Sequence, residues 1–235
     1  MIPPMTPRAL SAPGDELRRR SSGDRAALYI RRLIFDGELA PGTRVPQDDV
    51  AQSLGISRIP VREALIALER EGWVTIELHR GAFVNALDGQ AVRDHYDLYG
   101  LIYGFAIERA VERGGPDLGG RLAEIARSLS EAEDPEAVGK LTVDFHAVVV
   151  DAAQSPRLKV VLRAMSGMIP GNFFELVPGA IDTEKRGVAA IVRAVQAADG
   201  ARASREYAVV MRRQGDRVVK VLCSRGLLQP ALAGR

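Results

Sequence analysis

Two arginines in the first third of the chain have a spacing that suits recognition of a polyanion. Arg58 and Arg62 lie four residues apart on either side of Pro60, at the start of the apolar pattern PVREALIALEREG. Residues with this spacing share one side of a helix, so both guanidinium groups would project together. Proline costs little in a first helical turn, where its missing N–H would have no partner anyway. The pattern predicts a helix whose first turn carries two planar, permanently charged donors.

The segments before this pair predict two further helices. DRAALYIRRLIFDGEL, which begins at Asp24, has a helical period with Asp24 as its N-cap and Gly37 as its stop. PQDDVAQSLG, which ends at Gly55, predicts a short helix with acidic residues in its first turn. The order helix, short helix, tight turn and helix predicts a helix-turn-helix, with Arg58 and Arg62 at the start of its second helix.

A hairpin is predicted after the third helix. WVTIE and GAFVN alternate apolar and polar residues and bracket a tight tip at His79, Arg80 and Gly81. The tip combines positive charge with a glycine backbone that can approach a phosphate or the minor groove. The first 87 residues therefore predict a winged helix-turn-helix, whose recognition helix would enter the major groove. Arginine there pairs with guanine O6 and N7, and Ser57 would cap the helix or bind a phosphate.

A solvated, ion-paired helix face is the alternative interpretation of the arginine pair. Glu63, Glu69 and Glu71 lie nearby, and residues 1–87 hold 12 Arg, no Lys and 11 Asp and Glu, a balance of only +1. Charge alone therefore does not decide the question. The complete ordered pattern with its wing favours DNA binding.

Residues 91–228 have a different hydrophobic pattern, with helical periods and almost no strand signal. Breaks such as GGPDLGG, EDPEA, QSPR and VPGAID separate the periods, which predicts an antiparallel bundle of six or seven helices. The fold class is mainly α, with a small β-wing in the first domain. The predicted organisation is a flexible tail at 1–22, the winged domain at 23–87, a linker at 88–90, the helical domain at 91–228 and a tail at 229–235.

Composition excludes several functional classes. The 235 residues are 46% hydrophobic with a net charge of +2, so any nucleic-acid site must be local. A single cysteine, Cys223, rules out an internal disulfide and a thiolate metal cluster. No apolar run is long enough for a membrane span, and the proline-rich N-terminus lacks a signal-peptide core, which predicts a cytoplasmic protein with no membrane partner. No catalytic constellation is present, so we expect no enzyme.

Three stretches carry a resemblance to a known family. ELAPGTRV, LGISRIPVREALIALEREGWV and HRGAFV resemble the DNA-binding domain of GntR-family bacterial transcription regulators, and DFHAVVVDAAQSPRL resembles the FCD-type effector domain of the FadR subfamily. The resemblance implies a homodimer, most often a repressor, that binds a short palindromic operator in double-stranded DNA. It also implies a small-molecule effector in the helical domain that changes the placement of the two winged heads. Arg58 and Arg62 match the family's base-reading positions, and Gly81 matches its wing-tip glycine. The full set of predicted DNA-binding residues is Arg44, Ser57, Arg58, Ile59, Pro60, Arg62, His79, Arg80 and Gly81.

The family pattern fails at two kinds of position. Asp48 stands where the family often has a basic residue, which predicts one phosphate contact fewer. Many FCD domains bind a divalent metal through one Asp and three His. Here Thr142 stands at the position of the aspartate and Val188 at that of one histidine. The position of the last histidine falls near Val210 or Met211. Only His146 remains of that set, so we expect no metal and no cofactor.

The effector pocket is predicted to be apolar. The arginine that would grip a carboxylate effector is missing from the first helix, and Tyr99, Tyr103, Phe105, Val188 and Met211 would line the pocket. Thr142, His146 and Asn172 are the candidate polar groups. Three questions stay open here. The aromatic stripe is either a pocket wall or ordinary core, and the protein either responds to a small molecule or has lost that control. The Pro170-Gly171 break forms a lid, a dimer contact or a kink.

Overall fold

The first domain is a winged helix-turn-helix, as predicted. The computed structural model describes residues 21–165 and 172–228. Three helices precede a two-stranded antiparallel sheet whose register pairs Val74 with Val84 and Glu77 with Gly81. The elements are α1 (Ser22–Phe35), α2 (Gln47–Leu54), α3 (Arg58–Arg70), β1 (Val74–Glu77) and β2 (Gly81–Val84).

Helix α1 begins earlier than the sequence pattern suggested. Ser21 is its N-cap and accepts a hydrogen bond from the Asp24 N–H at 3.0 Å, while the Asp24 carboxylate accepts from the Ser21 N–H at 3.1 Å. This reciprocal arrangement is a capping box, in which the acidic residue occupies the third helical position. The prediction of Asp24 as the N-cap is therefore wrong, and α1 starts within the segment assigned to the flexible tail. Residues 1–20 and 229–235 lie outside the described residues.

An aromatic core and one ion pair hold α3 against α1. The rings of Phe35 and Trp73 pack with centroids 6.4 Å apart, and Leu68 is fully buried beside them. Arg31 on α1 donates from Nε and Nη2 to the carboxylate of Glu71, at 3.0 Å and 2.7 Å. Glu71 is the C-cap of α3, so this bidentate pair fixes the end of the recognition helix to its neighbour.

The second domain is a helical bundle, and the prediction of six or seven helices is confirmed for the described residues. α4 packs most extensively against α10, and α9 packs against both α10 and α5. No helix in the described ranges is long and apolar enough to cross a membrane. The helices are α4 (Gly89–Arg113), α5 (Leu118–Glu131), α6 (Pro135–Ala152), α7 (Pro156–Met165), α8 (Phe173–Leu176), α9 (Ala180–Gln196) and α10 (Gly200–Ser224).

Two of the three predicted linker residues belong to helix α4. Asp88 is the N-cap of α4, its side chain accepts a hydrogen bond from the Gln90 N–H at 2.9 Å, and Gly89 and Gln90 form the first turn. The acidic side chain of Asp88 satisfies one of the free N–H groups at the helix start, which explains why the segment is not a free loop. The predicted break at Pro170-Gly171 lies outside the described residues.

The end of α10 contacts the winged domain. The Leu87 N–H donates to the Leu227 carbonyl at 3.3 Å. Arg225 donates to the Phe35 carbonyl and to Asp36 Oδ1, the latter at 3.1 Å. Through these contacts of Arg225, the end of α10 is attached directly to the C-terminal end of α1. α4 and α10 are the longest described helices of the second domain.

Candidate nucleic-acid interface and interior site

The first turn of α3 presents a basic face to solvent. Ser57 is the N-cap, although its side chain makes no capping hydrogen bond, and Arg58 and Arg62 follow one turn apart, both exposed. Ile59 is 68% exposed, whereas Pro60 is half-buried against the domain. The opposite side of α3 packs into the core. The arginines predicted to reach base edges therefore lie on the exposed face of α3.

Asp48 has a partner that the sequence did not suggest. Its carboxylate forms an ion pair with the Arg58 guanidinium, which joins the first turn of α2 to the first turn of α3. Both side chains are well exposed, so the pair adds little to stability. It restricts the orientation of Arg58 and screens the carboxylate that was expected to repel a phosphate.

The wing tip depends on Gly81. This residue has φ +109, and a Cβ there would lie 2.7 Å from Nε of Arg44, whose backbone forms a β-bridge with Phe83. The neighbouring His79 also has a positive φ of 61. The Arg80 guanidinium lies 5.4 Å from the ring centroid of Phe83. Arg44, His79 and Arg80 thus form a second exposed basic area on the same domain.

Inside the second domain, the predicted pocket residues Tyr103 and His146 pack against Tyr207. The Tyr103 ring centroid lies 4.4 Å from that of His146 and 4.7 Å from that of Tyr207. Tyr103 donates to the His146 carbonyl at 2.9 Å, and the Tyr207 hydroxyl lies 3.1 Å from His146 Nε2. Burial lowers the pKa of His146 to about 4, so its imidazole is neutral at pH 7. These polar groups satisfy one another, as buried polar groups in a core usually do.

The remaining predicted pocket residues are spread more widely. Val188 and Met211 are buried, and Thr142 is buried with no partner for its hydroxyl among the described residues. Asn172 caps the short helix α8 and donates to Glu175 at 3.2 Å. Phe105 is 49% exposed, so its assignment to the pocket wall is wrong. Its position on α4 points away from the face that carries Tyr99 and Tyr103.

Two buried polar residues were missed by the sequence reasoning. Glu184 on α9 is 3% exposed and Gln214 on α10 is 1% exposed. Gln214 Nε2 lies 3.4 Å from the Glu184 carboxylate and donates to the Ala180 carbonyl at 3.1 Å. Burial raises the pKa of Glu184 to about 7, although the hydrogen bond from Gln214 acts in the opposite direction. The available signal was spacing, because Glu184 lies one turn before the buried Val188.

Two clefts on the second domain lie away from this interior. One, of about 190 Å³, is bordered by Gly115, Gly119 and Gln196. The other, of about 310 Å³, is bordered by Pro178, Arg217 and Lys220. Neither cleft is lined by a residue of the predicted pocket.

Models of two protein families match the two domains. The model of "Bacterial regulatory proteins, gntR family" matches residues 23–84, and that of the FCD domain matches residues 94–213. The chain belongs to the GntR family, with an FCD domain as its second half. An uncharacterized HTH-type transcriptional regulator of Mycobacterium tuberculosis (strain CDC 1551 / Oshkosh) is 34% identical over 151 residues, 64% of this chain and 62% of that protein.

Other relatives agree with this assignment. The gluconate operon transcriptional repressor of Bacillus subtilis (strain 168) is 28% identical over 152 residues, 63% of this chain and 62% of the repressor. The chain thus spans less than two thirds of the length of these two relatives. Among solved structures, E. coli McbR/YncC has the same fold, with a TM-score of 0.64 at 18% identity over 86% of this chain and 99% of that chain.

The residues at the positions that FCD relatives use for a metal do not fit a metal ion. Thr142, His146, Val188 and either Val210 or Met211 supply one good ligand between them, since valine has no donor atom and the threonine hydroxyl and methionine thioether are weak ones. A Cβ added to Gly187 would collide with the Val210 side chain, so α9 and α10 are closely packed at this level. Within residues 21–165 and 172–228, no three His, Cys, Asp or Glu side chains converge on a common point.

Proposed function

We propose that the protein is a sequence-specific DNA-binding transcription regulator that binds a short palindromic operator as a homodimer. The observation that carries this proposal is the exposed pair Arg58 and Arg62 at the start of α3, on the side opposite the buried face of that helix. Guanidinium groups at this end of a recognition helix suit bidentate pairing with guanine. The exposed basic wing around Arg44 and Arg80 suits contacts with the phosphate backbone or the minor groove.

The finer assignment is a repressor whose operator affinity is controlled by a small, rather apolar effector inside the helical domain. The relative named as a gluconate operon transcriptional repressor supports the sign of regulation. The contact of Arg225 with Phe35 and Asp36 supports a direct mechanical route from the effector domain to the winged domain. An effector acts only through different affinities for the DNA-competent and the DNA-incompetent dimer.

Arg62→Ala tests the recognition surface. The substitution removes one guanidinium from an exposed position without disturbing the core, so we expect operator binding to weaken by about 1–3 kcal/mol with relaxed preference at one base position. The measurement is a fluorescence anisotropy titration at fixed salt, on the duplex that wild-type protein selects from a random library. Arg70→Ala, at the other end of the same helix, is the matched control and should bind as wild type does. Equal operator binding by Arg62→Ala and wild type would contradict the assignment of α3 as the recognition helix.

An apolar patch on the second domain supports the homodimer. Leu98, Leu101 and Phe105 form an exposed stripe along α4, and Val209 on α10 is also exposed. Gly100 packs against Ala208, since a Cβ on Gly100 would lie 3.3 Å from the Ala208 Cα, so α4 and α10 are in close contact at this level. Exposed apolar patches of this kind mark contact surfaces, and a two-fold dimer uses the same patch on both copies.

Leu101→Asp is expected to weaken the dimer. Leu101 is 66% exposed at the centre of the stripe, and a carboxylate there would be buried without a partner on association. Loss of such a central contact costs about 2 kcal/mol or more, a roughly 30-fold rise in the dissociation constant. Sedimentation velocity over a dilution series measures it. Val143→Asp, at an equally exposed valine on α6, is the control; equal dimerisation by both variants would place the interface elsewhere.

A regulator that has lost small-molecule control is the second candidate. The mutually satisfied packing of Tyr103, His146 and Tyr207 favours it, because these side chains behave as core at the place where a ligand was predicted. Release of the selected operator by a small molecule would distinguish the two candidate functions, since only an effector-controlled regulator shows such release.

A further inference from the structure

The ion pair between Asp48 and Arg58 lies within the compact helix-turn-helix unit. Gly55 ends α2 in the left-handed conformation, with φ +62, and the Ile56 N–H donates to the Ala51 carbonyl at 3.0 Å. This tight ending is one that glycine allows at a helix C-terminus, so α3 starts almost at once. The closest contact between the two charged groups joins Oδ1 of Asp48 to Nε of Arg58. The pair therefore links the first turns of two helices that the turn holds together.

The atoms in contact leave the recognition end of the Arg58 guanidinium available. A guanidinium carries five N–H donors in a rigid fork, one on Nε and two on each terminal nitrogen. A carboxylate on the Nε side leaves the outward N–H groups of both terminal nitrogens, which is the pair that matches guanine O6 and N7. Within the described residues, neither terminal nitrogen of Arg58 donates a hydrogen bond. Arg58 is thus held from one side and remains able to pair with a base from the other.

The neighbouring Asp49 shows that stabilisation of α2 does not account for this contact. Asp48 and Asp49 both lie exposed in the first turn of α2, where a negative charge is favourable near the helix N-terminus. That benefit applies to both acids. In the described part of the chain, however, Asp48 forms an ion pair with Arg58, whereas Asp49 forms none. The contact with the recognition surface is therefore a separate property of Asp48.

The two arginines of the recognition surface are held differently. Arg62 is exposed one turn further along α3, and no carboxylate in residues 21–165 and 172–228 lies within ion-pair distance of it. An unrestrained arginine side chain samples many rotamers and pairs with a phosphate as well as with a base. A restrained side chain loses less freedom when it binds. Arg58 is therefore more strongly pre-organised than Arg62.

We propose that Asp48 is a positioning residue for sequence recognition, which orients Arg58 towards a guanine and disfavours its pairing with phosphates. This role rests on the proposed DNA-binding function. A phosphate bound by Arg58 would lie beside the Asp48 carboxylate, and the two negative charges repel each other. Guanine O6 and N7 are uncharged acceptors, so pairing with guanine keeps the ion pair intact. Asp48 thereby increases the difference in affinity between the operator and random DNA, although it lowers the affinity for DNA in general.

The test measures base preference with the full-length protein. The duplex that wild type selects is changed one base pair at a time, and binding of each duplex is measured by competition at fixed salt. Arg58→Ala identifies the guanine that Arg58 contacts. We expect Asp48→Ala to reduce the preference for that guanine by about fivefold or more, to leave the preference at the Arg62 position unchanged and to bind random duplex more tightly. Asp49→Ala removes the same charge from the same turn and should keep the preference at every position.

A double variant tests whether Asp48 acts through Arg58. Asp48→Ala combined with Arg58→Ala should have the same base preference as Arg58→Ala alone, because the residue that Asp48 positions is gone. An unchanged preference in Asp48→Ala overturns the proposal, as does an equal loss in Asp49→Ala or a further loss in the double variant. If wild type selects no sequence, the DNA-binding function fails and this role fails with it. If wild type selects an operator and Arg62→Ala weakens its binding, the failure is confined to Asp48.

Discussion

Arg31→Met should destabilise the protein by about 3 kcal/mol, because it leaves the Glu71 carboxylate partly buried without its partner. The two side chains are 9% and 19% exposed, and the guanidinium donates hydrogen bonds to the carboxylate from both Nε and Nη2. Removal of one member of such a pair leaves an uncompensated charge against the domain core. Urea unfolding followed by tryptophan fluorescence reports the loss, since Trp73 lies in this core. We expect a lower midpoint with an unchanged slope.

Two further variants test the cause of that loss. Arg31→Met combined with Glu71→Leu removes both charges, so most of the stability should return. Arg93→Met breaks the exposed pair with Asp216, whose side chains are 44% and 52% exposed, and should change stability by less than about 0.5 kcal/mol. If the double variant is as unstable as Arg31→Met alone, lost packing rather than an unpaired charge explains the effect.

Glu184→Gln should be more stable than wild type at pH 8 by about 3 kcal/mol and nearly equal to it at pH 4.5. The folded state raises the pKa of Glu184 from its ordinary value of 4.5 to about 7. Between these values the folded state binds more protons than the unfolded state, so wild-type stability falls as pH rises through this window. The neutral glutamine has no charge to bury and avoids that loss. Urea unfolding of both proteins at a series of pH values measures the difference.

The difference between the two proteins is the informative quantity, because other groups titrate in the same window. His146 has a pKa lowered to about 4 by burial, so its contribution to stability falls as pH falls from 6.5 towards 4. His95 is shifted in the same direction, again by burial. Both contributions cancel when wild type is compared with Glu184→Gln. A stability difference that does not change with pH would contradict the assignment of a buried, titrating carboxylate.

Local patterns in the sequence predicted the elements of the fold. The winged domain followed from helical periods, from glycines at helix ends such as Gly55, and from the alternating strands around the tip at Gly81. The start of α1 was misplaced because Ser21 and Asp24 are both good capping residues, and the choice between them depends on geometry that the sequence does not contain. The linker was misplaced for a similar reason, since Asp88, which was predicted as a linker residue, is the N-cap of α4.

Contacts between helices were harder to predict. The pairing of Asp48 with Arg58 joins two different helices, so no periodicity within either helix reveals it. Glu184 and Gln214 were overlooked because polar residues on an amphipathic helix usually face solvent. Phe105 was assigned inward because it is aromatic, although its position on α4 turns it outward. In each case the decisive information is the rotation of one helix against another.

Selection of bound duplexes from a random DNA library by the wild-type protein is the most direct test of the account. We predict strong enrichment of one short sequence with two-fold symmetry, with guanines in each half-site at the positions that Arg62→Ala relaxes. Binding to the enriched duplex should weaken steeply with salt, because we also propose phosphate contacts for the wing and α3. Recovery of unenriched sequence, bound no better than random duplex at the same salt concentration, would contradict sequence-specific DNA recognition by this protein.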